Sequence, residues 1–302
     1  MRRSGIVLLM TLMLITLLMG SVALVLAQSE RLSRLGGIVF FQSSSQRIVN
    51  DLQKHLPVLL SGITTADQLD LALRLPFQVE TRKRDFMLKM KLLSPYGCLN
   101  INSLLNKDGS TNTQSIALFM QIFSLYPISS PNLFLNILLD TIDIDVLERA
   151  VDTEISLTHP NAKNGYIANV REFNRILERY LQLTHDKAIL SIPWERYVGF
   201  TGEKIDFNAV NEETLSLILP KSSPERIRLL TRYRTKAFTS KAEAVAAEPA
   251  LENVFDNYFF IYTPGSSYTL LCDALITQNT HTEHLRFQYN LLDKRVHHVE
   301  FL

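Results

Sequence analysis

The first long feature of the chain is an unbroken apolar run. From Gly5 to Ala27 no charged residue occurs, and Ile6-Val7-Leu8-Leu9-Met10 passes through Leu12-Met13-Leu14-Ile15 to Leu26. At about 1.5 Å of rise per residue, such a helix crosses a bilayer core of about 30 Å. Leu32, Leu35, Ile38, Val39, Phe41, Ile48, Leu52, Leu56 and Leu59 then recur near helical spacing, which predicts a stalk helix running to about residue 60. Gly36-Gly37 and Ser43-Ser44-Ser45 weaken that helix without ending it.

Past residue 76 the period changes. Phe77-Gln78-Val79-Glu80 and Phe86-Met87-Leu88-Lys89-Met90-Lys91-Leu92 alternate apolar and polar positions on either side of a charged turn, Thr81 to Asp85, and predict a β-hairpin. From about 112 to 255 the pattern is mostly helical, with runs at Ile116 to Phe123, Leu133 to Leu139, Val170 to Leu183, Glu213 to Leu219 and Pro224 to Tyr233. Breaks are expected at Ser129-Ser130-Pro131, His159-Pro160-Asn161 and Leu219-Pro220. Strand patterns return at Tyr258 to Tyr262, Tyr268 to Leu275, Leu285 to Leu292 and Val296 to Phe301. The order strands, helices, strands predicts an α+β fold.

A formal charge of +1 over 302 residues, with acids and bases interleaved, presents neither a basic face for nucleic acid nor an acidic tail. Two cysteines, Cys98 and Cys272, are too few for a disulfide scaffold or a Cys-rich zinc pattern. They are either a pair in an oxidising compartment or two separate buried thiols. Arg2 and Arg3 precede the apolar run and the mixed charges Glu30, Arg31 and Arg34 follow it. The positive-inside rule therefore leaves the amino terminus in the cytoplasm and exports the rest. An ordinary signal peptide cut after Ala27 would have an apolar core of about 7 to 15 residues, and this run is longer. An uncleaved anchor explains it equally well on hydropathy.

Nothing in the sequence argues for an enzyme or a catalytic residue: the nucleophile elbow, the P-loop, the dinucleotide-binding glycines and His-Glu-x-x-His are all missing. Asp140, Asp143 and Asp145, with Asp152 and Glu154 downstream, form the acidic cluster of note. They read either as caps of a solvated helix end or as oxygen ligands for a hard cation, and the caps are favoured. The glycine and spacing of an EF-hand are not there. His281-Thr282-Glu283-His284 and His297-His298 lie in turn and strand patterns whose successive residues face opposite sides, which suits exposed polar positions better than a metal site. Ile205 to Tyr233 suggests a pair of helices, but its turn, Leu219-Pro220-Lys221-Ser222-Ser223-Pro224, has no glycine amides for a nucleic-acid phosphate.

Arg2-Arg3-Ser4-Gly5 joined directly to an apolar helix resembles the class III leader of type IV pilins and type II secretion pseudopilins. The resemblance implies cleavage by a prepilin peptidase between Gly5 and Ile6, with methylation of the new amino terminus. Most such proteins carry glutamate at the fifth mature position. Met10 stands there instead, a departure regular in protein K of the general secretion pathway, the large minor pseudopilin. Leu99-Asn100-Ile101-Asn102-Ser103-Leu104, Leu139 to Asp145, Pro160 to Phe173 and Ile205 to Leu215 each resemble a segment of that family, the second with Thr141 in place of tryptophan.

That resemblance implies a leader at 1–5, a transmembrane helix at 6–27, a stalk helix and first strands at 28–97, an inserted α-helical domain at 98–255 and closing strands at 256–302. The head would be a pseudopilin α/β fold with an antiparallel sheet, interrupted by the large helical domain. The implied function is that of a minor pseudopilin capping the tip of a periplasmic pseudopilus and helping start its assembly, with minor pseudopilins I and J, and H as a further candidate, for partners. The chain would pass once through the bacterial inner membrane with its carboxyl-terminal domain in the periplasm. Calcium in the helical domain is implied as well, with Asp140, Asp143, Asp145, Asp152 and Glu154 as candidate ligands. The rival readings are a minor pilin of a type IV pilus and a periplasmic binding protein with an ordinary signal peptide.

Overall fold

In the computed structural model, which describes residues 50, 53–58, 60–80, 86–159, 162–278 and 281–301, the alternating runs near residues 77–93 and 269–301 lie in one sheet. Gly5, Ile6, Met10, the apolar run 6–27 and most of the expected stalk fall outside the described residues. The chain divides into two units, Met1–Leu60 and Ser61–Leu302. Within the first, residues 53–58 are helical. Among the described residues no helix is long and apolar enough to cross a membrane.

The second unit opens with α1 (Ala66–Arg74), whose first turn is capped by the Thr65 hydroxyl accepting from the Gln68 N–H. Strands β1 (Phe77–Glu80) and β2 (Phe86–Leu93) form the expected hairpin. Then come β3 (Leu99–Asn100), α2 (Thr113–Leu125), α3 (Pro131–Ile142), α4 (Ile155–Thr158), α5 (Val170–Thr184), β4 (Val198–Gly199) and β5 (Ile205–Asp206). The helical stretch ends with α6 (Glu212–Ile218), α7 (Pro224–Thr231), α8 (Lys241–Ala247), α9 (Phe255–Tyr258) and β6 (Phe259–Phe260). Strands β7 (Thr269–Gln278), β8 (His281–Asn290) and β9 (Arg295–Phe301) close the unit.

The sheet runs β1-β2-β7-β8-β9 and is antiparallel throughout, so β2 and β7 are neighbours although the whole helical region separates them in sequence. Its alternation is that of a sheet with one dry face. Leu88, Met90 and Leu92 of β2, Cys272, Ala274 and Ile276 of β7, and Leu285, Phe287 and Tyr289 of β8 are buried. Register places Asp273 opposite Lys91 and Arg286 on the other face, where it pairs with Arg286 at 3.2 Å and with His284. His297 meets Asp293 at 3.4 Å. One expectation is shortened: only Phe259 and Phe260 of the Tyr258 to Tyr262 run are strand, because the chain enters them from the helical turn α9.

The helical region has a core of its own. Phe134 lies tilted against Trp194 at 5.4 Å between ring centres, and Phe173 meets the same indole edge-on at 5.3 Å. A second aromatic group surrounds Phe207, with Phe238, Phe259 and Phe255 at 5.1, 5.2 and 5.6 Å. Entry to and exit from the region are tied together. β3 pairs in parallel with β4, β5 pairs in parallel with β6, and the Asp206 N–H donates to the Tyr96 carbonyl at 2.9 Å. Gly97 is required at this crossing, since a Cβ there would lie 2.6 Å from the backbone oxygen of Ala209.

Candidate functional site

Helix α3 starts with Pro131 at its first position and buries Phe134, Ile137, Leu138, Leu139 and Ile142. That stripe carries Asp140, in the last turn, to full burial. A carboxylate opposes the helix dipole there, and it is held by specific donors. Asp140 Oδ2 accepts from the Arg149 N–H at 3.0 Å and from the Thr153 hydroxyl at 2.5 Å, while the Arg149 Nε stands 3.0 Å from Oδ1. Asp143, which caps the helix, accepts from Arg149 Nη2 at 2.7 Å. Arg149 therefore spans the first two acids of the cluster. Burial pushes both carboxyls up, and the arginine and hydrogen bonds pull them back.

The other three acids are engaged differently. Asp145 accepts from the Leu147 N–H at 2.8 Å. Asp152, at φ 65°, pairs with Arg179 at 3.4 Å. Glu154 is fully buried; its Oε1 caps α4 through the Ser156 N–H at 3.0 Å, and its charge adds to the upward pressure on Asp140. The five-residue set is thus divided into two acids around Arg149, a buried cap beside them, Asp145 occupied in its own turn and Asp152 paired with Arg179. Asp140 Oδ1, Asp143 Oδ1 and Glu154 Oε2 are buried and accept no hydrogen bond. Among the described residues, no three His, Cys, Asp or Glu side chains are gathered as a metal would require. Both thiols are free, and burial raises Cys98 to about 11 and Cys272 to about 12, so they behave as apolar groups.

The asparagines of the family-like segments do structural work. Asn102 grips residue 167 on both sides, its Oδ1 accepting from the Ile167 N–H at 2.8 Å and its Nδ2 donating to the Ile167 carbonyl at 2.9 Å. Asn208 does the same to Phe238 at 2.8 and 2.9 Å. Asn100 donates to the Gly202 carbonyl, and Asn211 caps α6 through the Thr214 N–H at 2.7 Å while donating to the Arg196 carbonyl at 2.7 Å. Between the helical region and the sheet, the buried Tyr268 hydroxyl donates to Asp206 Oδ2 at 2.6 Å and shares a 2.7 Å hydrogen bond with Ser94. The clamps and the Asp206–Tyr268 bond were not legible in advance, because each joins residues 30 or more apart in sequence.

A search of solved structures finds a chain in the crystal structure of the GspK-GspI-GspJ complex from the enterotoxigenic Escherichia coli type 2 secretion system. The two superpose with a TM-score of 0.53 at 16% identity, over 85% of this chain and 97% of that chain. The fold is GspK-like. The α+β class with an antiparallel sheet, read above from periodicity and motif resemblance, agrees with that likeness. No family model matches the chain. No curated protein matches it either.

Proposed function

We propose that this chain is a minor pseudopilin of a type II secretion system, placed at the tip of a periplasmic pseudopilus, where it helps start assembly. The observation that carries the reading is the GspK-like fold over 85% of the chain, joined to a leader of the form Arg2-Arg3-Ser4-Gly5 before the charge-free run. Its work in this reading is assembly, not catalysis. Cleavage between Gly5 and Ile6 by a prepilin peptidase frees a helix that stays in the inner membrane and packs among partner helices. A carboxylate in that setting is costly unless paired; Met10 suits a subunit with none stacked above it. The solved relative lies in a complex with GspI and GspJ, and the corresponding minor pseudopilins are the partners proposed here. Co-expression of the full chain with those two proteins is expected to yield a complex that survives affinity purification and size exclusion. Separate elution of all three would overturn the assignment.

Calcium belongs to the same proposal. The cluster Asp140, Asp143, Asp145, Asp152 and Glu154 carries hard oxygen donors of the kind calcium takes, and Asp143 Oδ1 and Glu154 Oε2 are buried without a hydrogen bond, but no three of these acids are gathered around one point, so an ion would have to draw them together. Arg149 competes for the first two. Addition of calcium to the chelator-treated full chain is expected to raise its unfolding temperature, and that rise should disappear in Glu154→Gln. An unchanged temperature in the parent chain removes the metal.

A further inference from the structure

An open cleft of about 390 Å³ lies between α1, β2 and the segment running from Asn208 to Arg234. That volume is in the range of small-molecule sites, about 300 to 1,000 Å³. Leu73, Leu92, Leu93 and Val210 give it an apolar wall. Its charged lining is unbalanced: Arg74, Arg232 and Arg234 face a single carboxylate, Asp70.

The three arginines are placed differently. Arg234 has a side chain only 6% exposed and pairs with Asp70, and its Nε has no hydrogen-bond partner. Arg74 reaches the other oxygen of Asp70 through its Nε at 2.9 Å, which leaves its terminal nitrogens unused by that pair. Arg232 follows the last turn of α7 and is exposed, with no ion pair or side-chain hydrogen bond among the described residues. One carboxylate cannot satisfy three guanidinium forks, each of which offers five donors in a plane. Burying a guanidinium without full compensation is costly, so an arriving anion gains from the charge of Arg234, already desolvated, while Arg74 and Arg232 at the exposed rim offer free donors to its head. The neighbouring polar groups do not supply that anion. Asn208 is committed to Phe238, Thr231 to the Ile227 carbonyl and Ser94 to Tyr268. Asp206 lies near enough to act on Arg234 through its charge, but its oxygens are taken by Tyr268 and the Asn208 N–H.

We propose that this cleft binds a small organic oxyanion, a carboxylate or phosphate group on a short apolar body, with Arg232 and Arg74 holding the anionic head and the leucines the body. The proposal does not depend on the assignment to a secretion system. The full chain, purified in a non-ionic detergent that carries no phosphate, is titrated by calorimetry with sodium butyrate, with butyl phosphate and with inorganic phosphate. Saturable one-to-one binding of butyrate or butyl phosphate is expected with a dissociation constant on the order of 1 mM or tighter. Tighter binding of butyl phosphate than of butyrate assigns the head as a phosphate, and the reverse order as a carboxylate. Inorganic phosphate should bind more weakly than its butyl ester, because it leaves the leucine wall uncovered. Arg232→Gln should weaken binding about tenfold without changing the unfolding temperature, since that side chain supports nothing else. Arg226→Gln, an exposed arginine outside the cleft lining paired with Glu248, should bind as the parent does. No saturable binding of either organic anion overturns the site. So does equal weakening by Arg232→Gln and Arg226→Gln, which would reduce the effect to overall charge.

Discussion

At the scale of single residues, burial and charge conflict most sharply at Asp206. Its carboxyl has no exposed surface, and burial pushes it up to about 6 against hydrogen bonds from Tyr268 and Asn208 and the positive charge of Arg234. The folded state therefore holds the proton more tightly than the unfolded chain, whose aspartate titrates near 3.8. Stability from this group is greatest when both states are protonated. It falls as pH rises from about 4 to about 6 and is level above that. The difference between the two states corresponds to roughly 2 to 3 kcal/mol. Asp206→Asn keeps the shape and removes the titration, since the amide can donate to Tyr268 while the tyrosine donates to Ser94. Urea unfolding of parent and variant across that range is expected to show the variant gaining on the parent as pH rises. Parallel curves would show that Asp206 titrates alike in the folded and the unfolded chain.

At the scale of elements, the segments that looked family-like are the places where asparagine stands in for a strand partner. Asn208 satisfies both the N–H and the C=O of Phe238 across 30 residues. Asn208→Ala leaves those two backbone groups unpaired in a buried setting, at about 1 to 3 kcal/mol each. A loss of about 2 to 4 kcal/mol in chemical denaturation is expected, whereas the N-cap change Asn169→Ala at α5 should cost only about 1 kcal/mol. Equal losses would mean the clamp is no more than a turn. Elements whose apolar positions repeat strongly were legible: the hairpin of β1 and β2 was placed to within a residue and α5 nearly so. Helix α8 was not, because its sequence, Lys-Ala-Glu-Ala-Val-Ala-Ala, packs through small alanines that carry little hydropathy contrast. The two-residue strands β3, β4 and β5 have too few positions for any period, whereas β6 was read as part of a longer strand. The acidic cluster was legible as composition only. Its arrangement depends on Arg149, whose reach back to Asp140 and Asp143 has no signature in the spacing of the acids.

At the scale of the whole molecule, the helical region between β2 and β7 is built to close on itself. One continuous apolar cluster extends from Leu99 to Phe259 and contains Phe119, Phe134, Phe173, Trp194, Phe207 and Phe255, while the dry face of the sheet, with Met90, Cys272 and Phe287, lies outside it. The strands at the mouth of the region pair within it, β3 with β4 and β5 with β6, so cutting the chain on the sheet side leaves those ladders intact. What the cut removes is the packing of Tyr268 on Tyr96, Phe260 and Tyr262, together with a few polar ties. Arg234 loses Asp70, and the Ala237 N–H loses its 2.8 Å bond to Asp67. Both groups would then meet water instead of an unpaired interior, which limits the penalty. A fragment of residues 94–263 is therefore expected to fold alone, with one cooperative urea transition, dispersed amide resonances and a buried Trp194 fluorescence. It should be less stable than the full chain, because Tyr96 and Asp206 lose Tyr268. A fragment that unfolds without a sigmoidal transition would show instead that the sheet is needed to hold the helices together, and that the two apolar clusters form one folding unit.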